Sequence, residues 1–200
     1  MTNSDFFDVV SRQRAHRSFS AEAVDDDTIG RVLTAATFAP SAENKQPWEF
    51  VVVREEATRA AIGDLSRRAW EARGRSFSET RLTPKMLADV DQGATGGVAQ
   101  APVNIVVCAD VQRGLEATIP SSIFPAVQNL LLAATALGLG SALTTITSGF
   151  RSEMQDILGL PEHVWPIALV PIGHPAKPLG PPRRAPFTER AHRDRYDRPW

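Results

Sequence analysis

The chain has very little cysteine: Cys108 is its only one among 200 residues. A single thiol excludes an intrachain disulfide, and its place in the apolar run Val103–Ala109 predicts a small, buried core residue. An excess of charge of either sign is also lacking, because 22 basic and 23 acidic side chains leave a net charge of −1. No global field therefore attracts nucleic acid or an anionic membrane, and any basic patch has to be local.

Long apolar runs and targeting signals are scarce as well. No apolar run approaches the roughly 20 residues of a transmembrane helix. The polar start Met1–Asp5 lacks the basic flank and apolar core of a signal peptide. We expect a cytoplasmic protein that binds neither membrane nor nucleic acid. With 42% hydrophobic residues, residues 1–200 are expected to form one domain with a substantial core.

Motifs for catalysis by protein side chains are lacking too. Gly138-Leu139-Gly140 has no third glycine and follows a helical pattern, so it is not a dinucleotide fingerprint. The sequence contains no Gly-Lys-Ser/Thr phosphate loop and no Gly-x-Ser-x-Gly elbow, and its four histidines show no metal-ligand spacing. Because no nucleophile or general base is evident, we expect a cofactor to carry the chemistry.

What the sequence does contain is an alternation of helical and strand patterns, which predicts an α/β or α+β protein. The segment 74–100 is the least patterned part, and Met86, Leu87 and Val90 indicate one helix there. Six prolines after His174 predict an extended arm over residues 175–200, which we expect to wrap a sister subunit. Helices are predicted over residues 5–13, Ile29–Ala36, 55–73, Ala126–Leu139 and Ser152–Leu158, and strands over Glu49–Arg54, Val103–Cys108 and Pro166–Gly173.

Two arginine clusters and one loop carry the functional signal. Arg12–Arg17 holds three arginines and a histidine, and Arg183-Arg184 lies in the arm. Each guanidinium matches phosphate oxygens, so together they indicate one anionic ligand held from two sides, although Arg12–Arg17 alone is also typical of a basic helix end. The loop Pro40–Trp48 is either a ligand-binding loop or an ordinary connection, and Trp48 either a core aromatic or part of a cleft wall.

Four ordered pieces of the chain carry a family resemblance. Arg14–Phe19 is similar to an Arg-Ser-x-Arg-x-Phe opening, and Ala39–Trp48 closely resembles an Ala-Pro-Ser-x-x-Asn-x-Gln-Pro-Trp loop. Gln128–Ser141 resembles a central helix with a Gly-Leu-Gly-Ser exit. Pro171–Pro175, followed by Arg183–Pro186, resembles a last strand and a second phosphate-binding arginine. In order and spacing these pieces resemble the nitroreductase family of FMN-dependent oxidoreductases.

The resemblance implies an α+β fold: a three-layer α/β/α sandwich with a central, mostly antiparallel sheet, an extended C-terminal arm and a homodimer with FMN at its interface. Ala15 stands where the family commonly has Ser, so we expect weaker FMN retention. Which of Arg183 and Arg184 meets the phosphate stays open. By position, Arg14, His16, Arg17 and Arg184 would hold the FMN phosphate and ribityl chain; Pro40, Ser41, Ala42 and Asn44 of the other subunit would line the ring and ribityl; and Leu143, Thr144 and Thr145 would approach the N5 edge.

The implied activity is hydride transfer from NADH or NADPH, through flavin N5, to a small oxidised acceptor such as a nitroaromatic or a quinone. Backbone N–H groups near Thr144 and Thr145 are expected to favour the reduced ring. Dehalogenation, oxidation of a small metabolite and oxygen-dependent flavin cleavage are other uses of the same flavin. A flavin-sequestering protein without turnover and an anion- or nucleotide-binding domain unrelated to flavin are further alternatives.

Overall fold

A four-stranded sheet forms the centre of the protein, whose computed structural model describes residues 6–200; the polar start Met1–Asp5 lies outside the described residues. Its strand order is β1-β2-β4-β3, and every neighbouring pair is antiparallel. The expected antiparallel sheet is confirmed. The strands are β1 (Trp48–Val53), β2 (Val103–Asp110), β3 (Gly140–Ser141) and β4 (Val164–Gly173).

Helices cover both faces of this sheet. The described α-helices are α1 (Phe6–Arg12), α2 (Asp26–Thr37), α3 (Glu56–Ala69), α4 (Arg75–Glu79), α5 (Pro84–Gln92), α6 (Val98–Gln100), α7 (Ile119–Ala136) and α8 (Arg151–Leu158). Short 3₁₀ turns occupy Ala42–Asn44, Glu116–Thr118, Ile146–Phe150 and Phe187–Glu189, and wider π-helical turns occupy Trp70–Gly74 and Gly93–Gly97.

Local chemistry explains several of these elements. Asp25 caps α2, because its carboxylate accepts the backbone N–H of Thr28 at 2.6 Å. Every residue of β2 is buried, as expected of a central strand covered on both faces. Where β2 pairs with β4, the register shifts between Val107 and Cys108, opposite Pro166. A proline inside a sheet belongs at such a bulge, because it has no N–H to donate to the ladder.

Two apolar cores lie on opposite faces of the sheet, which confirms the three-layer sandwich. One core packs α2 and α7 on the sheet through residues such as Val32, Leu130 and Val170. The other packs α3 and α8 on the second face through Leu65, Met154 and Leu169. Trp48 is 7% exposed and belongs to the first core, so it is a core aromatic.

Helix α7 is longer than predicted, because it starts at Ile119 rather than at Ala126. Pro120 lies at its first turn, where a missing N–H costs nothing. By length and composition, the continuous helical stretch Glu116–Ala136 also meets the criterion for a membrane span. The expectation that no apolar run is long enough was therefore wrong, but the stretch packs in the first core, as central helices of folded domains do.

The segment 74–100, predicted to hold one helix, is helical over most of its length. The residue Trp70, 2% exposed, anchors it, because its indole N–H donates to Asp91 at 2.8 Å. After β4, the chain bonds back to the region before α2: Ala176 N–H donates to the carbonyl of Ser18 at 3.1 Å.

The expected extended arm has two parts. Residues 175–186, all of which the structure describes, form neither helix nor strand, as their prolines predict. The end of the chain instead closes on itself. The rings of Phe187 and Trp200 lie 6.0 Å apart, and the N–H of Arg193 donates to the carbonyl of Arg198 at 2.7 Å. Residues 187–200 are thus folded back on themselves rather than extended.

Candidate functional site

The first arginine cluster runs beside the short edge strand β3. Ala15 forms a parallel bridge with Ser141, and the N–H of His16 donates to the Ser141 carbonyl at 3.0 Å. Close approach requires Gly140 at the start of this strand, since a Cβ there would lie 2.8 Å from two side-chain carbons of His16. Two stretches separated by more than 120 residues in the sequence are thus brought together.

Two of the three arginines of this cluster, Arg14 and Arg17, meet different surroundings. The guanidinium of Arg14 donates to the carbonyl of Gly180 in the C-terminal arm. Arg17 instead lines a cavity of about 80 Å³, which it shares with Leu143 and Thr144. The remaining walls of this cavity are mainly apolar, and they include Val90, Ala94 and Ile146.

The guanidinium of Arg17 is held from the side of α5. Its Nη1 donates to the Asp89 carboxylate at 2.6 Å, and the Arg17 side chain is 27% exposed. The π-helical turn that follows α5 contacts the same residue through Gly93 and Gly97. The cation at this cavity is therefore positioned by a segment more than 70 residues away in the sequence.

The imidazole of His16 is half-buried and is influenced by the charges of Arg14 and Asp89. Burial lowers its pKa below the ordinary value of 6.5, the positive charge of Arg14 lowers it further, and the Asp89 carboxylate opposes both. The imidazole is thus neutral above that pH. Its side chain also lines a second cavity, of about 380 Å³, between the end of α7 and the arm residues Pro175 and Pro178.

The loop Pro40–Asn44 is strained and largely outward-facing. Glu43, Asn44 and Gln46 adopt positive φ angles of 52°, 55° and 47°, a region that costs a side-chain-bearing residue roughly 1–2 kcal/mol. Ser122 of α7 holds the loop, because its hydroxyl accepts the N–H of Ala42 at 3.1 Å. None of the four predicted residues, Pro40, Ser41, Ala42 and Asn44, is among the residues that line the two cavities above.

Of the predicted residues that follow Gly138–Ser141, Leu143 and Thr144 line the first cavity, whereas Thr145 is not among its lining residues. The N–H of Thr144 donates to the Leu169 carbonyl at 2.9 Å, so it is not free to bind a ligand. Of the backbone N–H groups expected near Thr144 and Thr145 to favour the reduced ring, that of Thr144 is therefore already bonded within the protein. In the arm, Arg183 and Arg184 are exposed, and the Arg184 guanidinium donates to the carbonyl of Arg183 at 2.9 Å.

Comparison with known proteins shows where this arrangement belongs. The Nitroreductase family profile matches residues 10–174. This chain belongs to the nitroreductase family. An NADH dehydrogenase of Thermus thermophilus is 30% identical over 192 residues, which cover 88% of this chain and 89% of that protein. An iodotyrosine deiodinase of Haliscomenobacter hydrossis is 29% identical over 186 residues, covering 88% and 81%.

A solved structure has the same fold. A nitroreductase-type protein from Desulfovibrio desulfuricans, crystallised in complex with FMN, superposes with a TM-score of 0.74 at 25% identity. The match covers 98% of this chain and 99% of that one. The nitroreductase fold therefore extends over nearly the whole chain.

Several residues at the site of this nitroreductase-family chain carry no clear sequence signal. Asp89, Gly93 and Gly97 lie in the segment that had the weakest pattern, although their spacing of four places them on one helix face. Ser66 lines the first cavity, and Ser141 lies beside His16. Both hydroxyls are buried and have no hydrogen-bond partner in the described part of the chain, a property that no sequence pattern reports.

Proposed function

We propose that this protein is an FMN-dependent oxidoreductase that transfers hydride from NADH or NADPH to a small oxidised acceptor. The observation that carries the proposal is the path of Arg14–Arg17 beside β3. It directs one arginine to the C-terminal arm and the other to the cavity at Leu143 and Thr144. A ligand with an anionic end and a flat, polar ring fits this division of cations.

The phosphate end of FMN fits the Arg14 side of the site. Arg14 and Arg184 would bind the phosphate as charge-assisted donors, while neutral His16 would face the ribityl chain. The buried Ser141 hydroxyl, which has no hydrogen-bond partner among residues 6–200, supplies a further polar group beside them. Ala15 lacks the hydroxyl common at its position, which makes the two arginines the main phosphate ligands.

The ring end fits the Arg17 side. Leu143 and Thr144 would approach the ring edge. Because the N–H of Thr144 already donates to the Leu169 carbonyl, the N–H of Thr145 would be the donor to the ring. A cavity of about 80 Å³ is well below the roughly 300 Å³ of the smallest ligand pockets. This cavity alone does not enclose the flavin ring, which supports a site that a second subunit completes.

The loop Pro40–Asn44 supports a homodimer. It is held in a strained, outward-facing conformation, and such strain is concentrated at ligand-binding sites. We propose that Pro40, Ser41, Ala42 and Asn44 of one subunit cover the ring bound by the other. Exposed apolar side chains on α1 extend the surface available for this contact: Phe6 and Phe7 are 64% and 78% exposed.

FMN supplies reversible hydride transfer at its N5 atom. The protein's own contribution is binding and orientation, because the described site residues include no nucleophile or base placed for a covalent step. His16 is kept neutral above its lowered pKa, and Arg17 supplies a fixed positive charge on the ring side. An apolar cavity wall limits water near the ring.

The visible spectrum of the purified protein tests this proposal directly. We expect a flavin spectrum, or its appearance on adding FMN, and loss of the long-wavelength band when NADH or NADPH is added anaerobically. Addition of each donor separately identifies the preferred one. A colourless protein that fails to bind added FMN would refute the proposal, and bound FMN that neither donor reduces would favour a flavin-sequestering role.

Reductive dehalogenation is the second candidate, because the relative from Haliscomenobacter hydrossis is an iodotyrosine deiodinase. Chemically reduced protein should then release iodide from an iodotyrosine at a rate comparable with its reduction of a nitroaromatic or a quinone. Reoxidation by the nitroaromatic or quinone alone would support the first proposal.

A further inference from the structure

Helix α5 and the π-helical turn that follows it, Gly93–Gly97, contact Arg17 with one shared face. Asp89, Gly93 and Gly97 are spaced by four residues, so they share this face. The neighbouring residues Val90 and Ala94, also four apart, line the cavity beside it. π-helical turns within helices occur frequently at functional sites. The segment thus combines a contact with Arg17 and a wall of the candidate ring site.

The two glycines allow the backbone to approach Arg17 closely. A Cβ on Gly93 would lie 2.5 Å from Cδ of the Arg17 side chain, and a Cβ on Gly97 would lie 2.4 Å from its carbonyl oxygen. Neither position accepts a side chain without displacement of Arg17 or of the helix. By contrast, a Cβ on Gly96 would meet only Gln100, at 3.4 Å.

Asp89 is the charged group of this face. Its carboxylate accepts from Nη1 of Arg17 at 2.6 Å, which restrains the guanidinium and offsets its charge. The side chains of Arg17 and Asp89 are 27% and 48% exposed, so solvent partly screens their attraction, although the cavity wall near Arg17 is mainly apolar. The conformation of Arg17 and the net charge at the cavity both depend on Asp89.

We propose that Asp89 is a positioning residue that holds Arg17 toward the flavin ring and limits the positive charge that the ring meets. This inference rests on the proposed FMN function. A reduced flavin ring is anionic, so a full positive charge at Arg17 would favour the reduced cofactor over the oxidised one. The negative charge of Asp89 lowers this preference for the reduced form and so keeps the bound flavin a stronger hydride donor.

The dissociation constants of oxidised and reduced FMN test the proposal. We expect Asp89→Asn to raise the ratio of the oxidised to the reduced constant roughly tenfold, equivalent to a rise of about 30 mV in the two-electron reduction potential. Asp89→Glu, which keeps the charge, should restore the wild-type ratio to within about threefold. Glu79→Gln is the matched control, because Glu79 on α4 pairs with Arg75 and not with Arg17.

An unchanged ratio in Asp89→Asn, or an equal shift in Glu79→Gln, would overturn the proposal. Failure of the wild-type protein to bind FMN would instead refute the function on which it rests. A second readout needs no cofactor: the Nε–H signal of Arg17 in NMR spectra of the apoprotein. We expect it to be ordered in the wild type and to broaden in Asp89→Asn; equal order in both would also count against the proposal.

The glycines provide an independent variant pair. Gly97→Ala should displace the segment from Arg17 and broaden the same NMR signal, while the neighbouring Gly96→Ala should leave it within the range of the wild type. A normal Arg17 signal in folded Gly97→Ala would contradict the close contact. If Gly97→Ala fails to fold, Asp89→Asn decides the question.

Discussion

The hydroxyl of Ser122, on the central helix α7, accepts the backbone N–H of Ala42 in the loop Pro40–Asn44 at 3.1 Å. The same hydroxyl donates to the Thr118 carbonyl at 3.0 Å, and the side chain is 1% exposed. A rigid core helix thus holds a strained surface loop through one buried group. Loops that bind ligands are commonly fixed to a scaffold in this way.

Substitution Ser122→Ala is expected to loosen this loop while the fold persists. Loss of one buried hydrogen bond costs about 1 kcal/mol of unfolding free energy. The amide of Ala42 should exchange with solvent at least fivefold faster, and FMN affinity should fall several-fold. Ser121→Ala is the control, since that hydroxyl bonds the same carbonyl, Thr118, but is exposed and does not contact the loop. Equal exchange at Ala42 in both variants would argue against a role for Ser122.

The pH dependence of stability should report the neutral state of His16. The unfolded chain binds a proton at His16 near pH 6.5, whereas the folded chain binds it only at lower pH, mainly because the imidazole is buried. Below pH 6.5 the unfolded state therefore holds more protons, and the free energy of unfolding falls as the pH falls. Urea unfolding between pH 5 and 7.5 should show a shallower fall for His16→Gln. Parallel curves would contradict the lowered pKa.

Phosphate binding should distinguish the two arginines of the arm. We expect Arg14→Ala and Arg184→Ala each to weaken FMN binding roughly ten- to hundredfold, the equivalent of one charge-assisted hydrogen bond. Arg183→Ala serves as the paired comparison, because it removes the same charge from the adjacent position. Fluorescence quenching of FMN at two salt concentrations measures all three. A larger loss for Arg183→Ala than for Arg184→Ala would reverse the assignment.

The only thiol of the chain should be inert in the folded protein. Cys108 is fully buried in β2, and burial is the main cause that raises its pKa to about 12. A neutral, inaccessible thiol does not react with disulfide reagents at pH 8. We expect Ellman's reagent to label Cys108 only after addition of denaturant. Rapid labelling of the native protein would show that β2 opens readily.

Local sequence patterns were sufficient to predict an element where the residues that stabilise it lie within the same short stretch. The Asp25 cap of α2 and the continuous apolar run of β2 are of this kind, and both elements formed close to the predicted bounds. Helix α7 was predicted too short because Pro125 and Pro120 conceal its first two turns. In the segment 74–100 only one helix was predicted, because Gly93, Gly96 and Gly97 disfavour helix locally, whereas packing against Arg17 and Trp70 favours it.

Residue types and their order were enough to determine the family of this protein, because the Arg14–Phe19, Ala39–Trp48 and Gly138–Ser141 pieces are each contiguous in the sequence. Only the tertiary structure decided that Arg14 contacts the arm at Gly180 while Arg17 contacts Asp89. These partners lie 166 and 72 residues away. Contacts of that separation depend on how the sheet and its two helical layers assemble, so the direction of each guanidinium is a property of the fold and not of the motif that carries it.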